Sequence, residues 1–237
     1  MKEWELRPAR DFGLPFAERL KSQRREPGLL GTVSHAAWLA AVRAYLAVVH
    51  RLDVIGRENI PQAAPFIMVG NHTSHLDALS LSAALPRRLG VQSVALAAGN
   101  VFFGNLAAAM FAATALNALP IWREETTPED LAFLRQRLAE DHMVFILFPE
   151  GTRARDGVMK RFRAGLGAFV AGTDIAVLPC HLTGAYGCWP AQRALPRPGK
   201  LSLRIGPPLT FAGTANDPRG WRDVAQHAEA AVRALAP

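Results

Sequence analysis

The sequence predicts an α/β domain with a mostly parallel sheet flanked by helices. Three short runs, 66–69, 143–148 and 175–178, are almost wholly apolar and are typical of strands buried on both faces. Glycine or proline turns follow the first two runs, and patterns of helical period separate the three. With 237 residues and 50% hydrophobic residues, the chain is large enough for one domain with a sizeable core.

The N-terminal part, 1–52, is predicted to be an extension with an amphipathic helix at 34–50, which carries Trp38 and Tyr45 near one face. This helix is compatible with lying in a membrane interface and equally with packing on the domain. Residues 53–237 are predicted to form the second unit. Its predicted elements are strand 53–57, strand 66–69, helix 78–85, strand 91–97, helix 102–116, extended segment 119–122, helix 127–140, strand 143–148, helix 164–171, strand 175–178, loop 187–199, strand 201–205 and helix 219–235.

Composition indicates the kind of partner. There are 27 Lys and Arg against 20 Asp and Glu, a formal charge of +7, so acidic partners are expected: phosphorylated metabolites, an anionic lipid surface or nucleic acid. The two cysteines, Cys180 and Cys188, do not form a C-x-x-C pair, which argues against a disulfide scaffold or a zinc ribbon. Residues 89–122 carry no charge, but Gly, Asn and Pro interrupt them, and no helix there reaches the ~20 residues that span a bilayer. Residues 1–28 show no apolar core of a signal peptide.

The first chemical motif is N-H-T-S-H-L-D at 71–77, directly after the first buried strand. His72 and Asp77 would lie about 140° apart on a continuous helix, so they meet only if His72 is in the turn and Asp77 in the first helical turn. Ser74 is placed to be the N-cap of such a helix. The carboxylate would then receive one imidazole N–H and leave the other nitrogen as a base for a hydroxyl. A capping arrangement, in which Asp77 binds only backbone N–H groups, fits the same residues.

The second motif is the basic stretch 148–165, which follows the strand at 143–148. Glycines let the backbone approach a ligand, and arginine forks match phosphate oxygens in pairs, so the stretch is a candidate phosphate cradle. A solvated basic surface is the alternative. Its five cations are Arg153, Arg155, Lys160, Arg161 and Arg163.

These motifs carry a resemblance to a known family. Residues 71–77 resemble the N-H-x-x-x-x-D signature of the glycerolipid acyltransferases, and 148–153 resemble their F-P-E-G-T-R motif, in the same order. The chain is similar to the lysophospholipid acyltransferases, of which the 1-acylglycerol-3-phosphate acyltransferases are the best known. Weaker matches at 56–61, 117–123 and 177–179 extend the resemblance over 56–206. Asn117 stands where the family has glycine, Trp122 where it often has an acid, and Arg163 where it usually has lysine, and these departures concern the acceptor preference.

The resemblance implies a role for each matching residue. His72 would be the general base for the free hydroxyl of the acceptor, and Asp77 would orient it. Pro179 would help to shape the acyl groove, and Glu150 is expected to pair with an arginine or the backbone and hold the loop. The residues expected to bind the acceptor phosphate are Arg123, Glu150, Gly151, Thr152, Arg153, Lys160 and Arg163. The hydroxyl would attack an acyl thioester directly, without metal or cofactor, with acyl-CoA or acyl carrier protein as co-substrate.

The predicted function is therefore an O-acyltransferase that converts lysophosphatidic acid to phosphatidic acid, with a lyso-aminolipid as an alternative acceptor. The predicted location is peripheral, on the cytoplasmic face of the cell membrane, with the inner-membrane surface as a partner and no nucleic acid. Two other classes stay open. His72, His75 and Asp77 could belong to a metal-dependent hydrolase with His142 or His181, and the basic stretch could belong to a non-enzymatic module that binds nucleic acid or anionic membrane.

Overall fold

The computed structural model describes residues 8–122 and 127–237, and a seven-stranded sheet lies at the centre of the described chain. Across the sheet the order is β1-β7-β6-β2-β5-β3-β4, and neighbouring strands are parallel except β6 and β7. The predicted α/β class with a mostly parallel sheet is therefore confirmed. The strands are β1 (Asp53–Ile55), β2 (Phe66–Gly70), β3 (Ser93–Ala98), β4 (Leu119–Ile121), β5 (Val144–Leu147), β6 (Ala176–Thr183) and β7 (Ser202–Ile205).

Helices cover both faces of the sheet, and alternate residues of the central strand serve the two sides. Phe66 and Met68 of β2 point into one apolar core, whereas Ile67 and Val69 point into the other. The helices are α1 (Phe16–Leu20), α2 (Gly28–Val48), α3 (Asp77–Ala84), α4 (Arg87–Val91), α5 (Gly99–Phe102), α6 (Leu106–Thr114), α7 (Pro128–Glu140), α8 (Gly165–Val170), α9 (Ala185–Cys188) and α10 (Pro218–Ala234). The first core includes residues of α2, α3 and α4, and the second includes residues of α7, α8 and α10.

Strand pairing brings the two chemical motifs together. β2 and β5 are parallel neighbours in register from Phe66 opposite Val144 to Val69 opposite Leu147. Both strands end at the same edge of the sheet, so the turn at 71–77 and the loop that starts at 148 leave it side by side. Carboxyl ends of parallel strands are the usual place for a ligand crevice in such sheets.

The charge-free region differs from its prediction as one long helix at 102–116. The chain forms α5 and α6 with a break between them, because the Asn105 side chain accepts the backbone N–H of Ala108 at 2.9 Å and starts a new helix. The predicted strand at 91–97 begins at Ser93, because α4 occupies 87–91 after Pro86. Among the described residues, no helix is long and apolar enough to cross a bilayer.

Helix α2 packs on the domain through Leu39, Val42 and Leu46, which are buried, and it contacts α3, α4 and α6. The face that was compatible with a membrane interface is therefore the packed face. His50, which follows this helix, is fully buried with Nε2 3.0 Å from the Tyr45 hydroxyl. The division into units 1–52 and 53–237 stays a prediction.

Candidate active site

The turn after β2 is fixed at its start by Asn71. Its side-chain amide donates to the carbonyl oxygen of Leu182 at 3.0 Å and accepts the N–H of the same residue at 2.8 Å. This amide takes the place of a strand partner for the backbone of β6 just where β2 has ended. The first residue of the motif therefore anchors the turn to the sheet.

His72 and Asp77 form the predicted contact. His72 Nδ1 lies 2.8 Å from Oδ2 of Asp77, and the same oxygen accepts the backbone N–H groups of Thr73 at 2.7 Å and Ser74 at 2.8 Å. The dyad and the capping arrangement are thus both present, on one fully buried carboxylate. With Nδ1–H donated to Asp77, the lone pair of the neutral ring is on Nε2. Ser74 is not the N-cap as expected, because its hydroxyl donates to the carbonyl oxygen of Trp189 at 2.7 Å and Leu76 is the cap residue.

Phe148 sets the plane of the His72 ring, a contact that the sequence did not reveal. The two rings stack with centroids 4.1 Å apart and planes 15° apart. The backbone N–H of Ala154 also donates to the His72 carbonyl oxygen at 2.7 Å. Phe148, directly after β5, therefore holds the His72 ring in place, and the backbone of Ala154 holds the His72 backbone. An aromatic residue at the end of a buried strand is the available signal for such a role.

Glu150 clamps the turn to the basic loop. Its Oε1 accepts the backbone N–H of His72 at 2.7 Å, and its Oε2 accepts the backbone N–H of Lys160 at 3.0 Å. Burial raises the pKa of this carboxyl, and the two backbone hydrogen bonds oppose that shift. With both oxygens bound to the backbone, the geometry fits the expectation that Glu150 holds the loop, and not direct contact with a ligand.

Two cations that were predicted to bind phosphate, Lys160 and Arg163, contact the loop itself. Lys160 Nζ donates to the Thr152 hydroxyl and to the Arg153 carbonyl oxygen, both at 3.1 Å. Arg163 lies over Gly151, whose φ is +78°, and a Cβ there would be 2.9 Å from Arg163 Nε. This backbone conformation favours glycine, and a larger residue here would also displace the Arg163 side chain. Lys160 and Arg163 thus shape the loop.

Two cavities meet at His72. The first, about 360 Å³, has a polar end formed by Gly151, Thr152, Arg153 and Arg155, whereas apolar side chains, chiefly of β3 and α5 with Leu116 and Phe148, line most of the rest. The second, about 480 Å³, is mainly apolar and runs along Trp38 and Tyr45 of α2 and Phe111 of α6 to Trp189. The residues that line both cavities are His72, Ala78, Phe102, Leu116 and Arg153. His72, whose Nε2 has no hydrogen-bond partner among the described residues, therefore lies where the two cavities meet, as does Arg153.

Arg155 was one of the five cations of the candidate phosphate cradle, but it was not among the residues predicted to bind the acceptor phosphate. It lies at the polar end of the first cavity, and its carbonyl oxygen accepts the hydroxyl of Tyr186 at 2.7 Å and the amide of Gln192 at 3.0 Å. The second arginine of T-R-A-R was the signal in the sequence, but five cations in one stretch do not reveal which of them face a cavity.

Comparison with known proteins identifies the family. An acyltransferase family model matches residues 51–183. The chain belongs to the acyltransferase family. A 1-acyl-sn-glycerol-3-phosphate acyltransferase of Pseudomonas aeruginosa is 30% identical over 203 residues, which cover 83% of this chain and 72% of that protein. The 1-acyl-sn-glycerol-3-phosphate acyltransferase alpha of Mus musculus is 24% identical over 179 residues, covering 75% of this chain and 61% of that protein.

The fold of this acyltransferase is also found in a solved structure. The 1-acyl-sn-glycerophosphate acyltransferase PlsC from Thermotoga maritima superposes with a TM-score of 0.64 at 24% identity, covering 86% of this chain and 78% of that one. At this identity the likeness concerns the fold alone. The chain spans about three fifths of the length of the mammalian relatives it matches.

The remaining predicted residues of the acyltransferase lie elsewhere. Arg123 is outside the described residues. Pro179 is buried inside β6 opposite Val69 and is not among the residues that line the two cavities. Asn117 has a φ of +47°, which explains why a glycine suits this position, and its amide donates to the Ser93 carbonyl oxygen at 3.0 Å. Asn117 therefore has a structural role, and it is not among the residues that line the two cavities.

The proposed metal ligands do not converge. His72 Nδ1 is bound to Asp77, and His75 lies against the guanidinium of Arg153, a cation that would repel a metal ion. Within the described residues, no group of three or more His, Cys, Asp or Glu side chains is arranged to hold a metal. The geometry around His72 fits a hydrogen-bonded base and not a metal ligand.

Proposed function

We propose that this acyltransferase moves a fatty acyl group from an acyl thioester to the free hydroxyl of a lysophospholipid, with lysophosphatidic acid as the acceptor. The observation that carries the proposal is the position of His72. His72 lines both cavities together with Arg153, its Nε2 has no hydrogen-bond partner among the described residues, and Asp77 holds Nδ1. A base in this position can take the proton of an acceptor alcohol while a fatty thioester lies beside it.

The chemistry follows from the tautomer. Nε2 of His72 takes the proton of the acceptor hydroxyl as its oxygen attacks the thioester carbonyl carbon, and Asp77 stabilises the imidazolium that forms. When the tetrahedral intermediate collapses, the C–S bond breaks, the C–O ester bond remains and the imidazolium returns the proton to the leaving thiolate. A positioned base of this kind contributes roughly 10²- to 10⁴-fold to the rate.

The two cavities provide places for the two substrates. The second cavity, bounded by Trp38, Tyr45 and Trp189, is lined mainly by apolar side chains and suits the chain of the acyl donor. The polar end of the first cavity offers Thr152, Arg153 and Arg155 to the acceptor phosphate, since arginine forks pair with phosphate oxygens. Glu150, Lys160 and Arg163 support this arrangement from within the loop.

We further propose that the protein binds to the surface of an anionic membrane on the cytoplasmic side. Leu29, Leu30 and Val33 at the start of α2 are exposed, as are Phe12 and Phe16 around α1. Both α1 and α2 pack against α6, which itself exposes Leu106, Met110 and Phe111. Exposed apolar side chains on three neighbouring helices, in a chain of charge +7, suit an interface between water and anionic lipid. The lipid-facing side of α2 is thus the start of the helix and not the Trp38 and Tyr45 face.

The proposal is tested by acyl transfer to a panel of acceptors. Labelled oleoyl-CoA and oleoyl-acyl carrier protein are supplied in turn with lysophosphatidic acid, lysophosphatidylethanolamine, lysophosphatidylglycerol and a lyso-aminolipid, with and without a chelator. We expect phosphatidic acid to be the main product, at a rate that the chelator does not change.

A preference for a lyso-aminolipid would support the proposed acyl transfer, but it would replace lysophosphatidic acid as the acceptor. Hydrolysis of the thioester without transfer to any acceptor, or a rate that depends on added metal, would contradict the proposal.

A further inference from the structure

A further cavity, of about 300 Å³, lies away from His72 and is lined by three arginines. Arg43 belongs to α2, Arg57 follows β1 and Arg87 is the first residue of α4. None of the residues that line this cavity lines either of the two cavities at His72. Its volume is at the lower end of the range for small-molecule sites, so it suits a compact ligand or one group of a larger ligand.

The cavity lies at the end of α3 that is remote from the dyad. α3 begins with Asp77 near the carboxyl end of β2 and ends at Ala84. The next strand, β3, is parallel to β5, which is parallel to β2, so α3 and α4 return the chain to the opposite edge of the sheet before β3 begins. At 1.5 Å per residue, the eight residues of α3 span about 12 Å. An occupant of this cavity would therefore lie apart from a substrate at His72.

Two of the arginines bind the last carbonyl groups of α3. Arg43 donates from Nε to the carbonyl oxygen of Ala83 at 3.1 Å and from Nη2 to that of Leu85 at 2.8 Å. Arg57 donates from Nη1 to the carbonyl oxygen of Ala84 at 2.9 Å. The end of a helix attracts cations, but its partial charge is only about half an elementary charge. Capping therefore explains why two arginines approach α3, but not why three full positive charges gather there.

No negative side chain balances these charges. Within 8–122 and 127–237, none of the three arginines forms an ion pair, and Glu58 does not pair with Arg57, its neighbour in the chain. In the same residues, the hydrogen bonds of the three guanidinium groups are those to α3, so Arg87 keeps all five of its N–H groups for another partner. Burial lowers the pKa of Arg43, and the charges of Arg87 and Arg57 lower it further. The cations therefore repel one another, and a bound anion would relieve the repulsion.

We propose that this cavity is a binding site for a phosphate group. A phosphate monoester carries about −1.5 to −2 charges at pH 7 and three acceptor oxygens, and arginine forks pair with such oxygens. The donors are Arg87 and the N–H groups of Arg43 and Arg57 that are not bound to α3. A carboxylate, with one charge and two oxygens, would satisfy fewer of them.

The phosphate group belongs either to a soluble phosphorylated compound or to a phosphatidic acid head group in a membrane, and the two arms of the test distinguish these sources. The inference does not depend on the proposed function, because no residue of the catalytic turn or the basic loop lines this cavity.

The first arm is a titration of inorganic phosphate into the full chain, followed by phosphorus NMR line broadening. All proteins carry Arg153→Gln and Arg155→Gln, which weaken phosphate binding at the active site, and this double variant is the background. Adding Arg57→Gln and Arg87→Gln gives the cavity variant. We expect it to bind phosphate at least about tenfold more weakly than the background, because hydrogen bonds from charged donors are lost.

The matched control adds Arg51→Gln and Arg88→Gln to the same background. Both positions are exposed and do not line the cavity, so the control removes the same net charge, and it should stay within about twofold of the background in phosphate affinity. Arg87→Gln alone keeps every hydrogen bond that the arginines make to α3. It should still weaken phosphate binding at least about threefold, which separates lost binding from a disturbed fold.

The second arm uses vesicles that contain phosphatidic acid, with phosphatidylglycerol vesicles as the phosphodiester reference. A cavity variant that binds phosphate more weakly and also loses its preference for phosphatidic acid vesicles would support the inference and assign the group to a lipid. The same loss of phosphate binding with unchanged vesicle binding would support it and assign the group to a soluble compound.

An equal phosphate affinity in the cavity variant and the background would overturn the inference. It would also be overturned by an equal loss in the cavity variant and the control, which would reflect net charge alone, or by a background protein that shows no saturable phosphate binding.

Discussion

At the scale of single residues, the account depends on the contact of Asp77 with His72. In Asp77→Asn the amide oxygen can keep the three hydrogen bonds of Oδ2, but the negative charge that stabilises the His72 imidazolium is lost. We expect kcat to fall about 10²- to 10⁴-fold with a smaller change in KM. Steady-state kinetics measure this effect.

The exposed Asp223→Asn on α10 is the control, and it should leave kcat unchanged. A kcat within threefold of wild type for Asp77→Asn would show that the contact is only a cap for the turn.

Glu150 gives a second prediction at this scale. In Glu150→Gln one of the two oxygens becomes a donor that faces a backbone N–H, either of His72 or of Lys160, so one hydrogen bond is lost. We expect kcat to fall about tenfold and the amides at 150–163 to exchange faster in hydrogen-exchange measurements. Glu58→Gln, an exposed change, should alter neither quantity. Normal exchange with reduced activity would instead indicate direct contact of Glu150 with a substrate.

The sequence predicted the contact of His72 with Asp77 because its geometry is local, a turn followed by the first turn of a helix. The partners of Glu150 were predictable only as a class, since backbone N–H groups leave no mark in the sequence. The contact between His75 and Arg153 spans 78 positions and depends on the pairing of β2 with β5. Such a contact becomes visible only once the strand order is known.

At the scale of elements, the start of α2 carries the membrane prediction. Leu29 and Leu30 are 80% and 87% exposed, and burying a leucine in an apolar phase contributes about 1.5–3 kcal/mol. The double variant Leu29→Ser and Leu30→Ser should therefore bind anionic vesicles at least tenfold more weakly in a sedimentation assay, with little change in thermal stability.

Val48→Ser, at the other end of the same helix and 79% exposed, is the matched control. Equal vesicle binding by the double variant and wild type would place the lipid contact elsewhere on the chain.

The strands and the longer helices were predictable because apolar runs and helical period identify them. Helix α7 begins next to its predicted start, where Thr127 and Asp130 form a capping box. Helix α4 was missed because its five residues are too few to show a period. The break between α5 and α6 depends on one capping side chain, Asn105, within a uniformly apolar stretch. The loop at 187–199 was recognised as a loop, but its contact with the catalytic turn is tertiary.

At the scale of the whole molecule, the predicted α/β class with a mostly parallel sheet is confirmed by the strand order and by the likeness to the PlsC fold. Fold class was predictable because it depends on the alternation of buried strands with helices. The two cavities were not, since their walls come from α2, α3, β3, α5, α6, the basic loop and the loop after α9. No single stretch of sequence contains such a wall.

Global stability should depend on pH through three histidines. Burial lowers the pKa of His50, His75 and His181 below 6.5. Below about pH 6.5 the unfolded chain therefore takes up protons that the folded chain does not, and the free energy of unfolding falls as the pH drops. Urea unfolding at pH 7.5, 6.5 and 5.5 should show this decrease, with a shallower slope in His50→Gln. The same slope in that variant would mean that His50 does not contribute.

The measurement that tests the central claim most directly is single-turnover acyl transfer from labelled oleoyl-CoA to lysophosphatidic acid by wild type and His72→Ala. We expect the wild type to form phosphatidic acid and His72→Ala to form it at least about a hundredfold more slowly, with unchanged acceptor affinity and melting temperature. Transfer by His72→Ala at the wild-type rate would contradict the proposal that His72 is the general base.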